Sequence, residues 1–154
     1  MAETFSAEGL DYVMSVLPKG GTAPSQLFCG LWTTGSSGPT TVPAFTCVLS
    51  TYTSVGEASF TSYARQAIAS GSWGAMAAGS GAATGGRQTT GPQCTFPAAG
   101  AAYATPINGV VITNLATHGS EVGIFYANFD DLTAVVSMAI GDVIKATPTY
   151  GMTP

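Results

Sequence analysis

Few residues in this chain can carry chemistry. Four basic side chains, eight acidic ones and a single histidine are spread over 154 residues. Arg65 stands out because it sits inside "FTSYARQAI" (60–68), a run that reads as a β-strand. An arginine so placed can bind an anion, or it can clamp a carboxylate at a packed junction. Tyr63 lies two positions earlier, on the same face of a strand. Glu57 and Asp142 are carboxylates within its reach in the sequence reading. A structural pair, within the chain or between subunits, is the expected role of Arg65.

The other candidates give weaker patterns. Asp130 and Asp131 are adjacent in "NFDDL" and would point to opposite sides of a strand, so a turn is the simpler reading. A calcium loop needs six to eight oxygens, and no DxDxDG spacing occurs. His118, in "LATHGSE", has no GxSxG or comparable nucleophile motif to serve. Cys29, Cys47 and Cys94 are odd in number and widely spaced, with no CxxC. They read as small buried apolar groups and not as a zinc site. "GSGAATGGRQTTG" carries Arg87 but is not a phosphate loop of the GxxxxGK[ST] kind. No catalytic group, cofactor or metal is expected.

Composition narrows the partners. A soluble domain is about 25% charged, whereas this chain is 8% charged and 45% hydrophobic. Such a chain cannot coat its surface with charge in the usual way. A membrane span needs about 20 apolar residues in a row, and the best run, "LTAVVSMAIGDVIKA", meets Asp142 and Lys145 first. The amino terminus has no basic region, and Asp11 interrupts its apolar part, so no signal peptide and no disulfides are expected. The net charge is −4 with no basic cluster, which argues against nucleic acid. The expectation is a soluble chain, made in the cytoplasm, whose surface is covered by copies of itself or by partners.

The elements that would position these residues are mostly strands. One helix is expected at 7–17. Leu10, Val13, Met14 and Leu17 form its apolar stripe, Ser6 can cap it, and Pro18, Gly20 and Gly21 stop it. Leu10, Val13 and Met14 would then face whatever the helix docks on. Strands are expected at 25–33, 43–53 ("PAFTCVLSTYT"), 60–68, 93–98, 108–117, 121–129, 132–140 and 142–150. In the last, Ile144, Ala146, Pro148 and Tyr150 share one face, and Pro148 marks an edge strand or its end. The stretch 70–91 is Gly-rich and reads as a loop insertion, with Trp73 anchoring its start. The predicted fold is mainly β: one domain over 1–154, a β-sandwich or jelly-roll-like body from 25–69 and 92–150, with one N-terminal helix.

The order "SYARQAI", "TFP", "INGVVITN", "GIFYANFDD" and "GDVIKATPTYGM" resembles a family of small tailed-bacteriophage structural proteins. The family includes head-decoration (cement) proteins and short fibre modules with a jelly-roll-like domain. The resemblance covers most of 9–154 outside the Gly-rich stretch. It implies a structural role for Arg65 and Asp142 and carries over no catalytic residue. It implies a virion protein, most simply a capsid decoration protein that binds the major capsid protein and itself, with a homotrimer suiting quasi-threefold positions. The alternative is a tail or tail-fibre module that contacts host glycan. Exposed aromatics would then matter, and Trp32, Trp73 and Tyr103 are the candidates.

Overall fold

The computed structural model describes residues 3–5, 7–16, 18–33, 57–79, 85–97, 99–117, 122–128 and 138–152. In chain order the elements are β1 (Glu3–Phe5), α1 (Ala7–Val16), β2 (Gln26–Thr33), β3 (Gln66–Ala69), β4 (Ala77–Ala78), β5 (Arg87–Thr90), β6 (Cys94–Thr95), β7 (Ile107–Thr113), β8 (Gly123–Asn128), β9 (Lys145–Ala146) and β10 (Thr149–Met152). The architecture is mainly β, with three small antiparallel sheets and one helix among the described residues.

The core is built around β7, "INGVVIT", which is buried at every position. A short, nearly continuous apolar run of this kind suits a strand covered on both faces. β7 sits at the centre of the five-stranded sheet, whose order is β1-β8-β7-β2-β3. Its neighbour β2 is buried from Cys29 to Thr33 and pairs with it from Phe28 to Thr33. On its other edge β2 pairs with β3 only over Gln26–Cys29. Beyond Cys29 that edge is taken up by the segment entering at Glu57: Trp32 and Glu57 form a bridge, and Ala58 N donates to Leu31 O at 2.8 Å. Trp32, Leu31, Ile68, Phe96, Ile107 and Met138 are the bulkiest fully buried apolar side chains.

Residues 142–152 form a ribbon that changes partner part-way. β9 pairs with β6, and β10 then pairs with β5 in a three-stranded sheet ordered β10-β5-β4. Pro148 lies in the gap, where it has no N–H to contribute, but its carbonyl accepts from Gly91 N at 2.8 Å. Ile144, Ala146 and Pro148 are buried while Lys145 and Thr147 are exposed, as the alternation predicts. β10 is an edge strand of its sheet.

Several expectations need correction. The strand containing "FTSYARQAI" begins at Gln66, so Arg65 lies just before it. Residues 60–63 instead make a turn, closed by Tyr63 N donating to Phe60 O at 2.8 Å, with Ser62 in the left-handed region (φ 78°). The stretch 70–91 is not simply a loop. It carries β4, only two alanines long, and β5, whose Arg, Gln and Thr side chains gave little apolar signal, and the Arg87 guanidinium donates to Met76 O at 2.9 Å. β1, paired with β8, was not anticipated. The expected strand at 43–53, most of that at 132–140, and Cys47, His118, Asp130 and Asp131 lie outside the described residues.

The helix docks on a face that shares Val13 with the predicted stripe but is rotated slightly from it. Gly9 is buried and Tyr12 and Val13 pack on the core cluster, whereas Met14 is 54% exposed and Leu10 is half-buried. Gly9 lies against the backbone of Ile124 in β8, where a Cβ would stand 2.2 Å from the Ile124 carbonyl oxygen. The helix turns toward the sheet on the side where it has least bulk. Gly20 (φ 70°) then reverses the chain, and Gly21 N donates to Ser15 O at 3.1 Å.

Gly9 therefore yields a prediction with an inverted sign. Gly→Ala inside a helix ordinarily stabilises by about 1 kcal/mol. Here Gly9→Ala should destabilise by about 1–3 kcal/mol, because the methyl group forces α1 off β8. Urea unfolding followed by circular dichroism measures it; a midpoint raised above that of the parent chain would refute the close approach.

Candidate functional site

The polar centre of the molecule is Arg65. Its guanidinium forks onto Glu57, with Nε to Oε1 at 2.7 Å and Nη2 to Oε2 at 2.5 Å. Nη1 donates to the carbonyls of Leu115 (2.8 Å) and Thr117 (3.2 Å) and toward the Thr113 hydroxyl (3.4 Å). The side chains of Arg65 and Glu57 are only 2% and 12% exposed. A two-point, charge-assisted pair of this geometry is the strong form of the interaction.

Tyr63 completes the unit. Its hydroxyl donates to Glu57 Oε1 at 2.7 Å and accepts from Leu31 N at 3.0 Å. Its ring stacks on Phe96 at 6.1 Å between centroids and meets Phe60 edge-on at 5.2 Å. Gly30 leaves the room: a Cβ there would come within 2.9 Å of the Tyr63 hydroxyl and 3.0 Å of Glu57 Oε1. Burial, and then the nearby Glu57 carboxylate, push the Tyr63 phenol well above its ordinary value. The phenol thus holds its proton firmly on Glu57. Four chain segments meet here: β2, the strand-edge residue Glu57, the turn before β3, and the chain leaving β7. A cleft of about 360 Å³ lined by Glu57, Ser59, Tyr63, Arg65 and Thr117 opens beside them.

Sequence reasoning singled out Arg65 and Tyr63 and offered Glu57 as one of two partners. Asp142, the other, is not one. Its carboxylate accepts from Ala139 N at 2.8 Å and closes the turn in which Gly141 takes φ 90°. Gly141 N donates to Ala99 O and Ala99 N to Asp142 O, which fixes that turn on the body of the protein. Trp32 is buried in the core and cannot be a ligand platform. Tyr103 packs edge-on against Phe60, and its hydroxyl lies 3.4 Å from Ser59 N. The Gly30 space and the Leu115 and Thr117 carbonyls were missed. Gly30, placed mid-strand between apolar residues, was the only sequence signal of a close approach.

Trp73 lines a second, apolar groove of about 330 Å³ together with Tyr12, Val13, Leu27, Ile124 and Tyr150. It lies where α1 approaches the strands. Burial raises the Tyr150 phenol to about 12. The Thr89 hydroxyl at this groove is already bonded to Gly74 O at 2.6 Å. Among the described residues, no group of three or more His, Cys, Asp or Glu is placed to hold a metal ion, and no helix is long and apolar enough to cross a membrane.

Neither a protein-family model nor any curated protein sequence matches the chain.

Two predictions follow from the clamp and the groove. Glu57→Gln keeps the shape but leaves Arg65 buried without its counter-charge, and should cost about 3–5 kcal/mol. Tyr63→Phe removes only neutral bonding and should cost about 1–2 kcal/mol. Paired urea titrations give the order; equal losses would mean that the ion pair is not what joins the segments. The second concerns alkaline pH. Tyr63 and Tyr150 have folded pKa values above the unfolded value near 10. Their contribution is full below pH 10 and is lost as pH rises through the folded values. Stability should hold to about pH 10 and fall above it, and Tyr150→Phe should flatten the decline; the urea midpoint between pH 8 and pH 11 reads this out.

Proposed function

We propose that the chain is a bacteriophage virion structural protein, a capsid decoration protein that binds the major capsid shell and associates with itself, most simply as a trimer. In this reading its sheets belong to a jelly-roll-like body. The carrying observation is what the protein does with its polar and apolar groups. The strongest polar constellation, Arg65–Glu57–Tyr63, is turned inward and joins chain segments. Large apolar side chains are instead held outward: Ile140 is 73% exposed, and Met14, Met76 and Val143 are each about half exposed. A chain with 8% charged residues that exposes such groups gains by having them covered. The resemblance of its strand motifs to phage structural proteins supports the same reading.

The second reading, a tail or tail-fibre module, is favoured by one feature, the aromatic groove of Trp73, Tyr12 and Tyr150. Sugar recognition needs several convergent polar groups beside the aromatic face. The groove is mostly apolar, which counts toward the first reading.

Quantitative mass spectrometry of purified particles against the major capsid protein tests this. One copy per capsid protein, or one to a few, is the expected result. A handful of copies per particle would transfer the chain to the tail. Its absence from particles would end both readings.

A further inference from the structure

The apolar groove is a gap in the core and not a dent in the surface. Its floor is made by Ile112 and Ile124, both members of the core cluster, and by Leu27, which packs against that cluster. These three come from the central strand of the five-stranded sheet and from the strands on either side of it. Tyr12 and Val13 of α1 form one wall. Tyr150 of the three-stranded sheet and Trp73, which precedes that sheet, form the other.

Both walls are tied elsewhere, so neither closes the gap. α1 rests on β8 through the bare backbone of Gly9. The Trp73 ring lies against Gly91, where a Cβ would come within 3.2 Å of it. The residue after Trp73 is bonded twice to β5: Gly74 N donates to Thr90 O at 2.8 Å, and Gly74 O accepts from the Thr89 hydroxyl at 2.6 Å. A site held open in this way is already formed before a ligand arrives, which lowers the cost of binding.

The lining states what can enter. No charged side chain borders the groove, and the Thr89 hydroxyl is spent on Gly74. An ion would lose its hydration there without a counter-charge, and a sugar would lose its without several polar partners. A peptide segment would bring backbone N–H and C=O groups that such a lining cannot satisfy. Ordered water needs two to four polar partners and is poorly held. Size sets the next limit. An apolar cavity of about 150 Å³ admits benzene, and this groove has about 330 Å³. Trp73, Tyr12 and Tyr150 offer it ring faces and edges, which suit an aromatic guest in offset or edge-on contact. The geometry points to a binding site for a small, uncharged aromatic molecule of about two fused rings. A molecule seated there touches α1 and both sheets at once, so it ties three layers of the fold together. The inference does not depend on the virion reading.

Naphthalene is the probe, with naphthalene-1-sulfonate as the same ring system carrying a charge. The parent chain, with its isoleucine methyl groups labelled, is titrated with each and followed by nuclear magnetic resonance. Naphthalene should bind saturably, one per chain, with Kd on the order of 10–100 µM. Its protons should show Overhauser contacts to the methyl groups of Ile112 and Ile124. The sulfonate should bind at least about tenfold more weakly, since its charge has no partner in the groove. Naphthalene at about five times Kd should raise Tm by roughly 2–4 °C. Leu27→Trp, which fills the groove, should weaken naphthalene binding by tenfold or more; where that variant does not fold, the methyl contacts of the parent chain decide. No saturable binding, contacts to Ile140 in place of Ile124, equal affinity for the sulfonate, or undiminished binding to folded Leu27→Trp would each overturn the inference. So would a fall in sedimenting mass as naphthalene binds, because the groove would then belong to a second copy of the chain.

Discussion

A buried guanidinium imposes a demand that the surrounding chain has to meet. Its N–H groups need acceptors and its charge needs a counter-charge, and failure on either count costs several kcal/mol. In this protein the acceptors come from places far apart in sequence. Glu57 enters at the edge of β2 beyond its pairing with β3, and the carbonyls of Leu115 and Thr117 come from the chain leaving β7. Arg65 sits just before β3. The path of the backbone around it follows from satisfying this one side chain. Replacing a buried ion pair by apolar groups is often neutral in stability. What the pair adds is a junction: in this arrangement two carbonyls and a carboxylate from separate segments converge on one fork.

The clamp also accounts for local features that look costly by themselves. Ser62 takes a left-handed conformation that side chains avoid. The turn it belongs to brings Tyr63 back over the sheet, where its hydroxyl bonds both Glu57 and the Leu31 amide. Gly30 weakens a strand interior, yet any side chain there would occupy the space of that hydroxyl. Strain at the turn and the missing side chain are offset by the same network. The aromatic faces of Phe60, Tyr63 and Phe96 then carry the network into the apolar core.

How much of this could be read in advance depends on where each signal resides. β2 and β7 were legible because burial on both faces leaves a continuous apolar run, and the stretch 143–148 because one-sided burial leaves strict alternation. The helix was legible but its orientation was not. The stripe Leu10–Val13–Met14 and the observed face Gly9–Tyr12–Val13 differ by a small rotation, and what decides between them is a glycine that counts for nothing in an apolar pattern. β4 and β5 were lost among glycines and threonines, since their pairing is made by backbone groups that every residue possesses. The same reason hid half of the Arg65 site. A carboxylate partner can be short-listed by type, but a carbonyl acceptor cannot, and so Asp142 stood level with Glu57 until their positions separated them.

The place of Asp142 bears on how the outward-facing residues act. Its carboxylate, Gly141 and the reciprocal bonds with Ala99 make the 139–142 turn a fixed feature of the surface. Ile140 and Val143 are therefore held out on a supported turn and not on a loose loop. This matters energetically, because ordering a flexible segment consumes much of what apolar burial gains on association. An apolar side chain already fixed by its backbone keeps more of that gain when a neighbour covers it. Water is a poor medium in which to hold such a group, and a lattice of neighbouring subunits is a good one. The two arginine–carboxylate alternatives thus resolve into one design: Glu57 closes the inside of the protein, and Asp142 fixes the surface turn from which Ile140 stands out.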